Sequence, residues 1–155
     1  MTSVQKSAAS AGDGRQRAMG LLAKASRAEL QAAFDALAEQ PAVQPVRGPE
    51  TGLVMIRGRI GGGGAPFNLG EATVSRASIR LQDGTVGHGQ VLGTDGAKAR
   101  LAAIFDALFQ QPAHQAEAAA LLETNAARIA SQDAEKARQT AATRVDFFTM
   151  VRGED

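Results

Sequence analysis

The hydrophobic and polar positions of this 155-residue chain change period twice, from helical to extended and back to helical. Residues 53–93 contain the period-two alternation that is typical of strands, whereas the flanking segments place apolar residues three or four positions apart. The pattern therefore predicts an α+β fold. We expect a small antiparallel sheet of about three or four strands, flanked by an N-terminal helical hairpin and by C-terminal helices.

A capping motif marks the start of one predicted helix. Ser26 precedes Glu29 by three residues, the spacing at which the serine and glutamate side chains cap each other's backbone N–H groups. Leu30, Phe34 and Leu37 then recur at helical spacing. A shorter helix is predicted over residues 15–24, and together the two would form the helical hairpin.

The first residues differ in composition from the rest of the chain. Residues 1–12 are small and polar, and such a composition does not repay the entropy of ordering. We therefore expect a disordered segment over 1–12 and a single domain over 13–155.

The clearest turn signal is Asp83-Gly84, a dipeptide that favours a two-residue type I′ hairpin. In that register the apolar face pairs Leu81 with Val86, Ile79 with His88, and Ala77 with Gln90. The opposite face would then carry Arg76, Ser78 and Arg80 across from Val91, Gly89 and Gly87. Long cationic side chains would thus stand beside positions with little or no side chain.

An earlier strand is predicted over residues 53–60, after a segment broken by Pro41, Pro45, Gly48 and Pro49. Alternation puts Val54, Ile56 and Ile60 on one face of this strand. Arg57 and Arg59 share the other face with Met55 and should point outward.

Helical periodicity returns after the hairpin. Thr94-Asp95 can cap a helix whose apolar stripe consists of Leu101, Ile104, Phe105, Leu108 and Phe109. An alanine-rich helix follows over 113–143, with Thr124-Asn125 as a possible break. The chain then ends in RVDFFTMVRGED, which is predicted to form an apolar strand or extended segment with Phe147, Phe148, Met150, Val151 and Arg152 as a partner interface.

Composition narrows the functional classes. Lysine plus arginine total 17 against 16 acidic residues, a net charge of +1, which is too balanced to indicate bulk attraction to nucleic acid or membranes. The chain has no cysteine, which excludes a disulfide framework and a thiolate metal site. It also has no tyrosine or tryptophan, which disfavours a surface for stacking nucleic-acid bases. No apolar run approaches the roughly 20 residues of a membrane span, so we expect a cytoplasmic protein.

Two features suggest an anion site. The loop Gly61, Gly62, Gly63 and Gly64 offers backbone amides unobstructed by side chains, and four arginines could gather on the outer face of the sheet. These arginines are Arg57, Arg59, Arg76 and Arg80. The alternatives are a flexible connecting loop and an ordinary solvated sheet face, because the loop lacks the Gly-Lys-Ser/Thr that completes a phosphate loop.

No catalytic, cofactor-binding or metal-binding residue is predicted. His88 and His114 lie far apart and lack the HExxH context of a metal site. There is no G-x-S-x-G motif and no carboxylate pair with a recognisable acid–base spacing.

Three segments carry a resemblance to a known family: ETGLVMIRGRIGGGG, GEATVSRASIRLQDGTVGH and TRVDFFTMVRGE. They closely resemble the PhnG family, the G subunit of the bacterial carbon-phosphorus lyase system. The resemblance extends from about residue 15 to residue 154, and its most specific part is the ending RVDFFTMVRGE.

The resemblance implies a role in phosphonate catabolism. In that system the G, H and I subunits, with an ATPase-like L subunit, transfer the ribose triphosphate moiety of ATP to methylphosphonate and release adenine, and a J subunit later breaks the carbon-phosphorus bond. ATP and methylphosphonate would be substrates of the complex, and this chain alone would bind no cofactor. A structural role in the core complex is implied, and the alternative is direct phosphate contact through Gly61–Gly64 and the arginines.

Overall fold

The computed structural model describes residues 2–59 and 63–143. In chain order its elements are α1 (Thr2–Lys24), α2 (Arg27–Asp35), β1 (Val43–Gly58), β2 (Phe67–Leu81), β3 (Val86–Leu92), α3 (Gly96–Phe109) and α4 (Gln115–Ala142). The three strands form one antiparallel sheet in the order β1-β2-β3. The predicted α+β class is confirmed.

Helix α3 is the centre of the core. It packs on one face of the sheet and also contacts α1, α2 and α4, while α1 additionally contacts β3. The predicted stripe is buried at Leu101, Ile104, Phe105 and Leu108, and Phe109 packs at its margin. Asp95 caps the helix by accepting a hydrogen bond from the Lys98 backbone N–H at 2.9 Å. The Thr94-Asp95 start is therefore confirmed.

The capping box that begins α2 is also confirmed. The Ser26 hydroxyl accepts from the Glu29 backbone N–H at 3.1 Å, and the Ser26 N–H donates to the Glu29 carboxylate at 2.7 Å. Helix α1, in contrast, begins at Thr2 rather than at residue 15, so it includes the segment that composition predicted to be disordered.

The β2–β3 register differs by one residue from the predicted one. The Leu81 N–H donates to the Thr85 carbonyl at 2.9 Å, and the Gly84 N–H donates back to the Leu81 carbonyl at 3.0 Å. Gly84 has φ of +90°, the conformation typical of the last residue in a three-residue hairpin loop. Ile79 consequently pairs with Gly87 and Ala77 with Gly89, and each predicted pairing across this hairpin is wrong.

This register turns Gly87 and Gly89 toward α3 instead of toward the arginines. A Cβ added to Gly87 would collide with the Ala103 carbonyl oxygen, and one added to Gly89 would collide with the Ala99 carbonyl oxygen. Strand and helix therefore pack at backbone distance, which only glycine permits.

Strand β1 is longer than predicted because it begins at Val43 and passes through Pro45 and Pro49. β1 is an edge strand. A proline in an edge strand costs the sheet no hydrogen bond where its nitrogen faces away from the neighbouring strand. Register shifts between Pro45 and Arg47, and between Arg47 and Glu50, absorb the irregularity.

Helix α4 continues through Thr124-Asn125, so the predicted break is wrong. The Thr124 hydroxyl donates to the Ala120 carbonyl within the helix at 3.0 Å, and the Asn125 side chain is buried. Most of α4 after Asn125 is exposed. The predicted terminal strand and its interface residues, Phe147, Phe148, Met150, Val151 and Arg152, lie outside the described residues.

Candidate functional site

The outer face of the sheet, on the side away from α3, carries a polar cluster. Alternation along β2 puts Arg76, Ser78 and Arg80 on this face, and both arginines are exposed. Gln90, His88 and Val86 stand opposite them, in place of the predicted Val91, Gly89 and Gly87. The arginines therefore stand beside side chains rather than beside empty glycine positions.

Two arginines of this cluster form ion pairs with the same carboxylate. Glu50 Oε1 accepts from Arg76 Nε at 2.6 Å and from Arg47 Nε at 2.9 Å. All three side chains are more than a third exposed, so each pair contributes little to stability. Two guanidinium groups on one carboxylate leave one excess positive charge, together with N–H donors for an anion.

His88 lies beside these arginines. Its Nδ1 is 2.8 Å from the Ser78 hydroxyl, and its backbone N–H donates to the buried Asp106 carboxylate at 2.8 Å. An open cleft of about 250 Å³ runs over this cluster. Its polar lining consists of Arg47, Arg76, Ser78, His88 and Gln90.

Most polar side chains that line the cleft are hydrogen-bond donors, and two of them are arginines. It is suited to binding a small anion, because guanidinium groups donate charge-assisted hydrogen bonds to anionic oxygens. Within residues 2–59 and 63–143, no group of three histidine or acidic side chains could hold a metal ion.

The structure separates the four arginines of the predicted anion site. Arg57 pairs with Asn68, eight residues from Arg76 along β2, which corresponds to about 26 Å in a strand. Arg59 follows the end of β1. Arg76 and Arg80 remain together on the outer face, so the structure brings together half of the predicted set.

Half of the glycine loop is also described. Around Gly63 and Gly64 an added Cβ would meet no atom within 4 Å, and Gly64 has φ of +93°. Gly61 and Gly62 lie outside the described residues. Anion binding by the loop stays a prediction.

The sequence interpretation missed an apolar arm at the end of the sheet. β3 pairs with β2 only over Val74–Arg80, so β1 and β2 continue beyond it as a two-stranded ribbon. Its large apolar side chains are 41% to 63% exposed. These residues, hereafter the ribbon, are Leu53, Met55, Ile56, Phe67 and Leu69. The observed strand lengths show the arm directly, because β3 has seven residues whereas β1 has 16 and β2 has 15.

In the part of the chain that the structure covers, none of the helices combines the length and the apolar character needed to cross a membrane.

Comparison with known proteins identifies the family. The family profile described as phosphonate metabolism protein PhnG matches residues 13–153. A protein of Rhizobium meliloti (strain 1021), named alpha-D-ribose 1-methylphosphonate 5-triphosphate synthase subunit PhnG, is 68% identical over 141 residues. The match covers 91% of this chain and 90% of that protein. The length of the match and the level of identity show that this chain belongs to the PhnG family of phosphonate metabolism proteins.

Proposed function

We propose that this chain is a noncatalytic but required subunit of a ribose 1-methylphosphonate 5-triphosphate synthase. The assembled enzyme would transfer the ribose triphosphate moiety of ATP to methylphosphonate with release of adenine. H, I and J subunits of the carbon-phosphorus lyase core, with the ATPase-like L subunit, would be its partners. The name of the Rhizobium meliloti relative supports the synthase assignment, and the exposed ribbon supports the assembly role.

The ribbon continues the helix-bearing face of the sheet. Thr51 pairs with the buried Ser75 on that face, and alternation along β1 puts Leu53 and Met55 on the same side. Helix α3 covers this face farther along the sheet, but Leu53 is 63% exposed and Met55 is 53% exposed. The ribbon therefore presents a prepared apolar surface that the described part of the chain leaves uncovered.

A protein partner explains this surface energetically. A two-stranded ribbon is marginally stable in water, and contiguous exposed apolar side chains indicate an interaction site. Because Leu53 and Met55 are more than half exposed on this face, covering the two side chains contributes on the order of 2 kcal/mol before ordering costs. That is enough to influence assembly.

The test replaces Leu53 and Met55 with lysine in the chain co-expressed with the H, I and J subunits. Val46→Lys is the matched control, because Val46 lies on the same strand, is 50% exposed and stands away from the ribbon. We expect the double variant to keep the circular dichroism of the parent but to lose co-purification and adenine release from ATP and methylphosphonate. Val46→Lys should retain both.

Normal assembly and turnover with the double variant would refute the assembly role of the ribbon. Loss of both properties in the Val46→Lys control would show that added positive charge, rather than the ribbon, is responsible.

A second candidate function is direct contact with a substrate phosphate or phosphonate group. It is favoured by the cleft beside His88, where Arg47 and Arg76 share the Glu50 carboxylate. An arriving anion could compete with Glu50 for both guanidinium groups. Arg76→Ala in the assembled complex should then weaken ATP or methylphosphonate binding, whereas Arg100→Ala, on the exposed side of α3, should not. Unchanged affinity with Arg76→Ala would favour an ordinary solvated face.

A further inference from the structure

A second apolar depression lies between α2 and α4, on the opposite side of α3 from the sheet. This α2/α4 groove has a volume of about 460 Å³ and Phe105 of α3 in its lining. Its walls are mostly small or apolar, with Ala32 and Ala33 from α2, Ala36 and Leu37 just after it, and Ala120 and Leu121 from α4. Glu29 and Glu117 add negative charge to its lining.

Asn125 distinguishes this groove from an ordinary packing defect. Its side chain is fully buried in the groove lining, and within the described residues neither Nδ2 nor Oδ1 has a hydrogen-bond partner. Buried amides are nearly always paired, because an unpaired one loses its bonds to water without replacement. The N–H and C=O of one residue in an extended backbone point the same way, so they can offer a donor to Oδ1 and an acceptor to Nδ2 at once.

We propose that the C-terminal segment of the same chain, residues 144–155, occupies the α2/α4 groove and hydrogen-bonds through its backbone to Asn125. This proposal is independent of the proposed function, because it concerns a different surface from the ribbon.

The length of the segment fits the path. Asn125 lies 17 residues before the end of α4 at Ala142, about 26 Å at the helical rise. An extended chain returning along α4 covers the same distance in about eight residues, which brings Met150 level with Asn125.

The composition and charge of the segment fit the groove as well. Val145, Phe147, Phe148, Met150 and Val151 supply apolar side chains for alanine-lined walls. On the same path Arg152 falls near Leu121, about one helical turn from Glu117. Arg152 would therefore lie near the Glu117 carboxylate. It would lie away from the Arg128 guanidinium, which pairs with Glu29 at 2.7 Å.

The absence of native cysteines permits a direct test by cross-linking. Thr124→Cys, in the groove, is combined with Met150→Cys in the full-length chain, which is then oxidised at low protein concentration. Glu123→Cys with Met150→Cys is the matched control, because Glu123 is the exposed neighbour on the other flank of α4. We expect a disulfide within one chain for the 124/150 pair and little for the 123/150 pair.

Equal yields for the two pairs, or disulfides that join separate chains, would overturn the proposal. The second result would assign the groove to a segment of another molecule.

A second measurement tests the role of Asn125. Asn125→Leu in the full-length chain keeps the number and branching of the side-chain heavy atoms but removes the amide. If the segment bonds to this amide, the melting temperature falls and the 124/150 disulfide forms about fivefold less, the change expected for one net hydrogen bond. If the amide has no partner, Asn125→Leu raises or preserves the melting temperature, and the proposal fails.

Discussion

Arg15 of α1 and Asp106 of α3 are 91 positions apart in the sequence and form a two-pronged ion pair, with N–O distances of 2.9 and 2.7 Å. The Asp106 carboxylate is fully buried, and the Arg15 side chain is 35% exposed. The same carboxylate accepts the His88 backbone N–H. The pair therefore joins the first helix, the central helix and the free edge of β3, and its side chains cover an edge that would otherwise be open to pairing.

We predict that Arg15→Ala strongly destabilises the fold. The substitution leaves a buried carboxylate with only the His88 N–H as a described partner, and removing one member of a buried pair costs about 3 kcal/mol or more. Arg17→Ala, two positions along the same helix at an exposed site, should have almost no effect. Urea unfolding of the two variants measures the difference, and similar midpoints would contradict the structural importance of the pair.

The parts of the fold that follow from local chemistry could be predicted from the sequence. Ser26 and Glu29 cap each other within four residues, and the stripe from Leu101 to Phe109 repeats at the helical period. Both features depend on neighbours in the chain, so one sequence contains the necessary information.

The strand register could not be predicted, because it depends on the loop conformation. A two-residue and a three-residue hairpin both suit Asp83-Gly84, and choosing between them reverses every side chain of β3. Gly87 and Gly89 held the missing information. Their alternation marks a strand face that approaches another backbone, rather than a face left empty beside arginines.

Substitutions at these two glycines test the observed register. Gly87→Ala and Gly89→Ala should each destabilise the protein by about 1–3 kcal/mol or more, because the added methyl group collides with helix backbone that cannot move aside cheaply. Gly52→Ala and Gly70→Ala are controls in strand positions with no atom within 4 Å of the added methyl. They should be neutral or mildly stabilising. Thermal unfolding distinguishes the pairs, and a neutral Gly87→Ala would favour the two-residue register.

The candidate site was only partly predictable for a similar reason. Arg76 and Arg80 share a face because they lie four residues apart on one strand. Arg57 belongs to another strand, and its position relative to Arg76 depends on the long-range pairing of β1 with β2. Alternation alone cannot supply that pairing.

Acid stability should depend on Glu29. The hydrogen bond from the Ser26 backbone N–H, aided by the Arg128 guanidinium, holds the pKa of Glu29 below its ordinary value of 4.5. A depressed folded-state pKa contributes stability that is present above the ordinary value and is lost as the pH falls through the folded value. Glu29→Gln retains a capping amide but has no charge to titrate.

The stability difference between the parent and Glu29→Gln should therefore be largest above pH 4.5 and should shrink as the pH falls below it. Urea unfolding at a series of pH values measures this difference. Glu39→Gln, at an exposed position after α2, is the control. A difference that is constant across the acid range would exclude a contribution from the Glu29 charge.

The isolated chain should self-associate through the ribbon. Leu53, Met55, Ile56, Phe67 and Leu69 are exposed apolar side chains on two strands, with Leu53 and Met55 on one face and Ile56 on the other. Among the described strands, β1 also lies at an edge of the sheet. Without its partners, the surface can be covered by another copy or by aggregation. Leu53→Lys with Met55→Lys should shift the isolated protein toward monomer in sedimentation velocity experiments, because like charges then oppose each other across any copy-to-copy contact.

Val46→Lys should leave association unchanged, since Val46 lies on the same strand outside the ribbon. A parent chain that remains monomeric at high concentration, with a melting temperature independent of concentration, would show that the ribbon does not need a cover.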